Sequence, residues 1–333
     1  MRKEMLKKSI GTIVMTIALV GTSIPGVTVS PVKVNADVAT TVSASSNEVG
    51  KLESIFTTID LMDAYESLGL IIGESVEDDL VNETAMEKGE LTAEQLVQMY
   101  IDRINAYDKS LDLNSIITIN SKALDEAKEL DKERAAGKIK GKLHGIPIIV
   151  KDNYDVEGMP TSAGCKALKD SIAPDDSYAV KKLKEEGAII LAKANMSEFA
   201  SSGSNSRSTL GGAVHNAYDT ERTAAGSSGG TAVAITSNFA TAGLGTDTGS
   251  SIRRPSSFSN LYGLRPSKGL TSIDGVVPLN GDRDVTGPIC RSAEDLATIM
   301  TAIAGTDAND SYTVDANADS LKPANGYESG LKA

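Results

Sequence analysis

Apolar residues first recur at helical spacing at Leu96, Val97, Tyr100, Ile101 and Ile104, behind a capping box formed by Thr92 and Gln95. A helix therefore starts at Thr92 with one face turned inward. Beyond it, short apolar runs alternate with mixed stretches that end at glycine. The runs Ser115 to Ile119, Ile146 to Val150, Ala188 to Ala194 and about Ala240 to Gly245 predict strands. Between them, Ser121 to Ala136 (closed by Gly137) and Ala179 to Glu186 (closed by Gly187) predict helices, and a short helix follows Gly230. A last helix runs from Ser292 to about Ala304, with its own S-x-x-D cap and Gly305 as its stop. Strands alternating with helices predict an α/β fold with a mixed or parallel sheet covered by helices. No internal repeat marks a solenoid.

The two ends depart from this pattern. Arg2, Lys3, Lys7 and Lys8 precede an apolar run from Ile10 to about Val20, then Gly21, Pro25 and Gly26, and a Val34-Asn35-Ala36 triplet. That order predicts a signal peptide over 1–36, cut after Ala36, because the apolar run is shorter than the roughly 20 residues of a membrane-spanning helix. Residues 37–50 read as a flexible leader, 51–305 as the folded domain, and the polar stretch 306–333 as a tail or linker. The expected location is secreted or in the cell envelope, without stable membrane insertion after cleavage.

Charge and rare residues narrow the partners. The chain carries a net charge of −12; residues 1–36 hold five Lys or Arg and one Glu, so the processed form would carry −16. An acidic surface repels phosphate backbones, so no nucleic-acid partner is expected. With two histidines and two cysteines, none in C-x-x-C or H-E-x-x-H spacing, no metal or other cofactor is expected. Cys165 and Cys290 could pair or stay as free thiols; the sequence leaves both open.

Candidate chemistry concentrates in Ala224 to Thr231 and Gly245 to Pro255. Their Gly/Ser density admits a flexible linker, a nucleophile elbow, or an anion-binding nest. Apolar patterns on both sides disfavour the linker. Gly226-Ser227-Ser228-Gly229-Gly230 matches the elbow G-x-S-x-G, with Ser228 as nucleophile, but that fold needs a later histidine, and His144 and His215 both come earlier. A serine enzyme lacking such a histidine can use a desolvated lysine, whose pKa burial lowers. Lys151 directly follows the apolar run Ile146 to Val150; taken alone, it could equally be a solvated strand end.

Together these segments resemble the amidase signature family. The match comprises Leu143 to Asn153 (L-H-G-I-P-I-I-V-K-D-N), the G-S-S-G-G segment at Ser227, and G-T-D-T-G-S-S-I-R-R-P, which places Ser251 24 positions later, the family's spacing. Gly89 to Thr92, Ala194 to Phe199, Tyr262 to Pro266, Gly275 to Pro278, and Asp284 before Gly287-Pro288 extend it over about residues 60–310. The resemblance implies a mixed central sheet with helices on both faces, incomplete here because family members continue past this chain's last residue. It implies Ser251 as the acylated nucleophile, Ser227 as proton relay behind a cis Gly226-Ser227 peptide, and neutral Lys151 as base. The backbone N–H groups of Thr248, Gly249, Ser250 and Ser251 would form the oxyanion hole. The implied substrate is a small-molecule or peptide amide, cleaved to acid and ammonia.

Ser250 and Ala225 stand where the family usually has glycine, so a positive φ at 250 would strain the hole. Arg254 replaces a usual apolar residue and is expected to be neutral. Two alternatives accompany the amidase reading: an inactive truncated relic, and a glutaminase-type subunit serving mischarged tRNA, which export and the acidic charge oppose.

Overall fold

The computed structural model describes residues 28–32, 39–43 and 81–332. In the first of its two units, β1 (Thr28–Val32) and β2 (Ala39–Ser43) pair antiparallel, with Thr28 opposite Ser43. Their Val- and Thr-rich sequences suit a pleated ladder. The strands fall where the export segment and flexible leader were expected. The remainder of those segments and the expected domain start at residue 51 lie outside the described residues.

The second unit runs, in order, α1 (Val81–Glu87), α2 (Ala93–Tyr107), β3 (Ile116–Ile119), α3 (Ala123–Ala135), β4 (Pro147–Lys151), α4 (Tyr178–Glu185) and β5 (Ile189–Ala194). There follow β6 (Arg207–Ser208), β7 (Gly212–Ala213), α5 (Gly229–Thr236), β8 (Ala242–Thr246), α6 (Arg253–Phe258), β9 (Tyr262–Gly263), β10 (Thr286–Cys290) and α7 (Ala293–Ile303). The capping box at Thr92 is present, each partner's side chain accepting from the other's backbone N–H. A main sheet has the order β3-β5-β4-β8-β10-β9. Its centre, β5-β4-β8, is parallel, and antiparallel strands flank it on both sides.

The connections explain the layers. From β4 through α4 the chain moves one place to β5; from β5 through α5 it returns past β4 to β8. Right-handed crossovers in opposite directions put α4 and α5 on opposite faces. Tyr100 and Arg103 of α2 bond Thr241 and the Ser237 carbonyl beside α5, while α7 packs on α4. With both faces covered, β4, β5, β8 and β10 are buried at every residue, which is why their sequences run apolar without alternation. Strand β10, Thr-Gly-Pro-Ile-Cys, escaped the sequence pattern because Gly and Pro are poor strand formers.

The expected tail from Thr306 is a correction. It forms α8 (Ser311–Ala316), α9 (Ala318–Leu321) and a 3₁₀ turn at Tyr327–Lys332. Its polar residues act as caps and clasps: Asp310 accepts from the Tyr312 N–H, Asp307 from Ser272 Oγ at 2.6 Å, and Glu328 from Thr301 Oγ1 at 2.7 Å and Lys142 Nζ at 3.1 Å. Low apolar content thus reflected local hydrogen bonding.

Candidate active site

Strand β4 carries Lys151 as its last residue, and the parallel neighbour β8 ends at Thr246, with Val150 opposite Leu244. Lys151 is fully buried. Its Nζ lies 2.7 Å from both Ser227 Oγ and Thr246 Oγ1. Burial lowers its pKa to about 7, against the upward pull of the Asp284 and Asp247 carboxylates. A lysine neutral near physiological pH and bonded to a serine hydroxyl can accept that hydroxyl's proton.

Ser227 lies just ahead of α5 and follows a cis Gly226–Ser227 peptide. Its carbonyl accepts from the Ser197 N–H at 3.1 Å and Ser206 Oγ at 3.2 Å. Only glycine fits at 226, because a Cβ there would lie 2.2 Å from the Asn205 carbonyl oxygen. Ser228, the elbow serine, is fully buried. Its hydroxyl donates to the Thr246 carbonyl and accepts from the Thr246 N–H, tying the α5 start to β8.

Ser251 is nearly buried, and its carbonyl accepts from the Ser228 N–H at 3.2 Å, which brings the two serine segments side by side. Among the described residues its hydroxyl has no hydrogen-bond partner, so the Ser251–Ser227 link of a relay is not made here. Such bonds often tighten only around substrate. The backbone N–H groups of Thr248, Gly249, Ser250 and Ser251 likewise donate to no described residue. Four consecutive free donors in a loop form a cradle for an oxyanion.

Asp247 shapes that cradle. Fully buried, it accepts from the N–H groups of Ile252 (3.1 Å) and Arg253 (3.4 Å), from Arg253 Nε and Nη2 (3.1 and 3.2 Å), and from Arg265 Nη1 (3.4 Å). Burial pushes its pKa up, but the Arg253 guanidinium and the backbone donors outweigh this and hold it below the usual carboxylate value. Thr248 Oγ1 donates to the Asp284 carboxylate, which also accepts from the N–H groups of Leu279 and Asn280.

A second buried lysine was missed in the sequence. Lys193 of β5 is fully buried, 3.4 Å from Asp152, and donates to the Pro160 carbonyl and Thr161 Oγ1. The signal was available: Lys193 interrupts an apolar strand much as Lys151 ends one. The histidines are structural. His144 Nδ1 accepts from the Lys140 N–H while Nε2 bonds the Leu130 carbonyl, and His215 Nδ1 bonds the Thr220 carbonyl. Cys165 and Cys290 are both free thiols.

Backbone strain falls at Ala225, φ +59°, and Ser250 is not among the positive-φ residues. The concern over Ser250 is thereby removed. Ser250→Gly should lower stability by about 0.5–1 kcal/mol, through greater freedom of the unfolded chain, and leave turnover unchanged. A thermal melt with parallel steady-state kinetics checks this; a rise in turnover would mean that the side chain obstructs the cradle.

Comparison with known proteins gives one consistent family. The model of the family described as Amidase matches residues 95–332. The amidase-type subunit of a glutamyl-tRNA(Gln) amidotransferase from Saccharolobus solfataricus is 40% identical over 239 residues, covering 72% of this chain and 48% of the relative. The native peptide amidase from Stenotrophomonas maltophilia superposes with a TM-score of 0.69 at 41% identity, covering 72% of this chain and 50% of that one. An amidase family protein from Bacillus anthracis gives a TM-score of 0.67 at 41% identity, over 70% of this chain and 47% of its own. The chain thus spans about half the length of the relatives it matches.

Proposed function

Because the chain belongs to the amidase family, we propose that it hydrolyses a carboxamide to acid and ammonia through an acyl-Ser251 ester, with Ser227 relaying a proton to Lys151. The observation that carries this reading is the 2.7 Å contact between Ser227 Oγ and the fully buried Lys151 Nζ. Neutral Lys151 takes the Ser227 proton as Ser227 takes that of Ser251. The Ser251 oxygen then bonds to the amide carbon. The resulting oxyanion is met by the N–H groups of residues 248–251, where one lost donor typically costs about 10²–10³ in rate. Collapse breaks the C–N bond, and the proton held by Lys151 returns through Ser227 to the departing nitrogen. Water then attacks the ester, delivers its proton by the same route, and restores Ser251.

A fluorophosphonate probe should form a single adduct on Ser251, located by peptide mapping. An adduct elsewhere, or none, would sink the assignment. A substrate of small-molecule or peptide type accords with the peptide amidase likeness. The likeness to an amidotransferase component favours a second reading, glutamine as the amide donor. Glutaminase activity with copurifying partner proteins would support it over free amide hydrolysis. The N-terminal pattern from Arg2 to Ala36 supports export to the envelope or beyond, which is part of the proposal and weighs against a tRNA-bound role.

A further inference from the structure

Asn153 stands two residues past Lys151, buried, in the lysine motif but without a role in the mechanism above. Its Nδ2 lies 3.2 Å from Thr246 Oγ1 and 3.3 Å from the Val277 carbonyl oxygen. The Val277 N–H in turn donates to the Asn153 carbonyl at 2.8 Å. A backbone carbonyl can only accept, so the amide's nitrogen end must face Val277. The same nitrogen then faces Thr246, and the amide oxygen Oδ1 stays buried with no hydrogen-bond partner among the described residues.

This orientation constrains the Thr246 hydroxyl. Its oxygen has two lone pairs, and two donors converge on it, Asn153 Nδ2 and Lys151 Nζ. With both lone pairs occupied, the hydroxyl proton must point away from Lys151. Neutral Lys151 has a single lone pair. A Thr246 proton turned toward it would occupy that lone pair; kept away, it leaves the lone pair to Ser227, 2.7 Å distant.

We propose that Asn153 is a positioning residue that, through Thr246, aims the lone pair of Lys151 at Ser227. The inference rests on the reading of Lys151 as base. The charges facing Lys151 are Asp247 and Asp284, which the variants below leave intact; Asp152 is turned to Lys193 and Ser162.

The test uses the full chain carrying Asn153→Ala and the near-isosteric Asn153→Leu, so that either folded variant suffices. Two readouts are followed against pH: amide turnover and the rate of fluorophosphonate labelling at Ser251. Without the Asn153 donor, the Thr246 proton can turn to Lys151 and stabilise its neutral form. The plateau of kcat should then fall by about tenfold or more with KM unchanged, and the acidic limb should move to lower pH. Loosened packing would do the opposite, since admitted water moves a buried lysine's pKa up toward 10.5. In a Thr246→Val background, Asn153→Ala should have no further effect on the limb. A limb that stays or rises, or effects that add independently of Thr246, would overturn the proposal. Absence of Ser251 labelling in the unsubstituted protein would instead overturn the amidase reading beneath it.

Discussion

Lys151→Met is expected to lower kcat/KM on a primary amide by about 10²–10⁴ while the protein stays folded, since loss of a positioned general base costs that much. Because Lys151 and Ser227 act as one relay, Lys151→Met/Ser227→Ala should be no slower than the worse single variant. The parent's activity should rise with pH through about 7, the value to which burial lowers the ammonium. Near-parental turnover in the variant would show the lysine to be structural.

The same substitution makes an opposite prediction for stability. The folded state releases the Lys151 proton near 7 and the unfolded state near 10.5, so between these values the unfolded chain binds more protons. Stability from this group therefore rises with pH across that window, and below it the penalty is complete, on the order of 5 kcal/mol. Lys151→Met should accordingly be more stable than the parent at pH 7, by a margin that narrows toward pH 10. Urea melts of both proteins at several pH values measure this. A constant or widening margin would contradict a lysine strained by burial. A base held at such a cost in stability is the trade expected at an active site.

Asp247→Ala is the second large effect. It removes the acceptor shared by Arg253, Arg265 and two backbone N–H groups, leaving partly buried cations unpaired. Breaking a buried pair on one side costs about 3–5 kcal/mol. The loop of free N–H groups should lose its shape, and Ser251 labelling should vanish before global unfolding. Asp247 titrates in the opposite sense to Lys151. Its folded pKa lies below 3.8, so its contribution is complete above that value and is lost as pH falls through the lower folded one. Acid titration of the parent, with labelling as the probe, should show the cradle failing before the core. Unchanged labelling in Asp247→Ala would show that the loop is held by other contacts.

Much of the layout was legible in local pattern. The helix opening at Thr92 was readable because a capping box is satisfied within four residues, and Pro147–Lys151 because a strand covered on both faces must be apolar throughout. The strand expected at Ala240 to Gly245 lies at Ala242–Thr246, two residues later at its start, since nothing local separates the turn after α5 from the strand. The polar stretch after Thr306 misled because Asp and Thr side chains that cap helices look, in sequence, like residues that solvate a loop.

The sequence by itself determined which side chains could react: a lysine at the end of a buried strand, serines in glycine-rich turns at family spacing, and no histidine in the order an elbow requires. Only the tertiary structure decided what those side chains are. Lys151 is a base because Ser227 and Thr246, 76 and 95 positions away, surround its nitrogen in a fully buried site. Ser228 is inert because both its hydrogen bonds go to the backbone of Thr246. The parallel register of β4 on β8 makes both outcomes, and register between distant strands depends on packing across the whole sheet, which no local pattern of residues encodes.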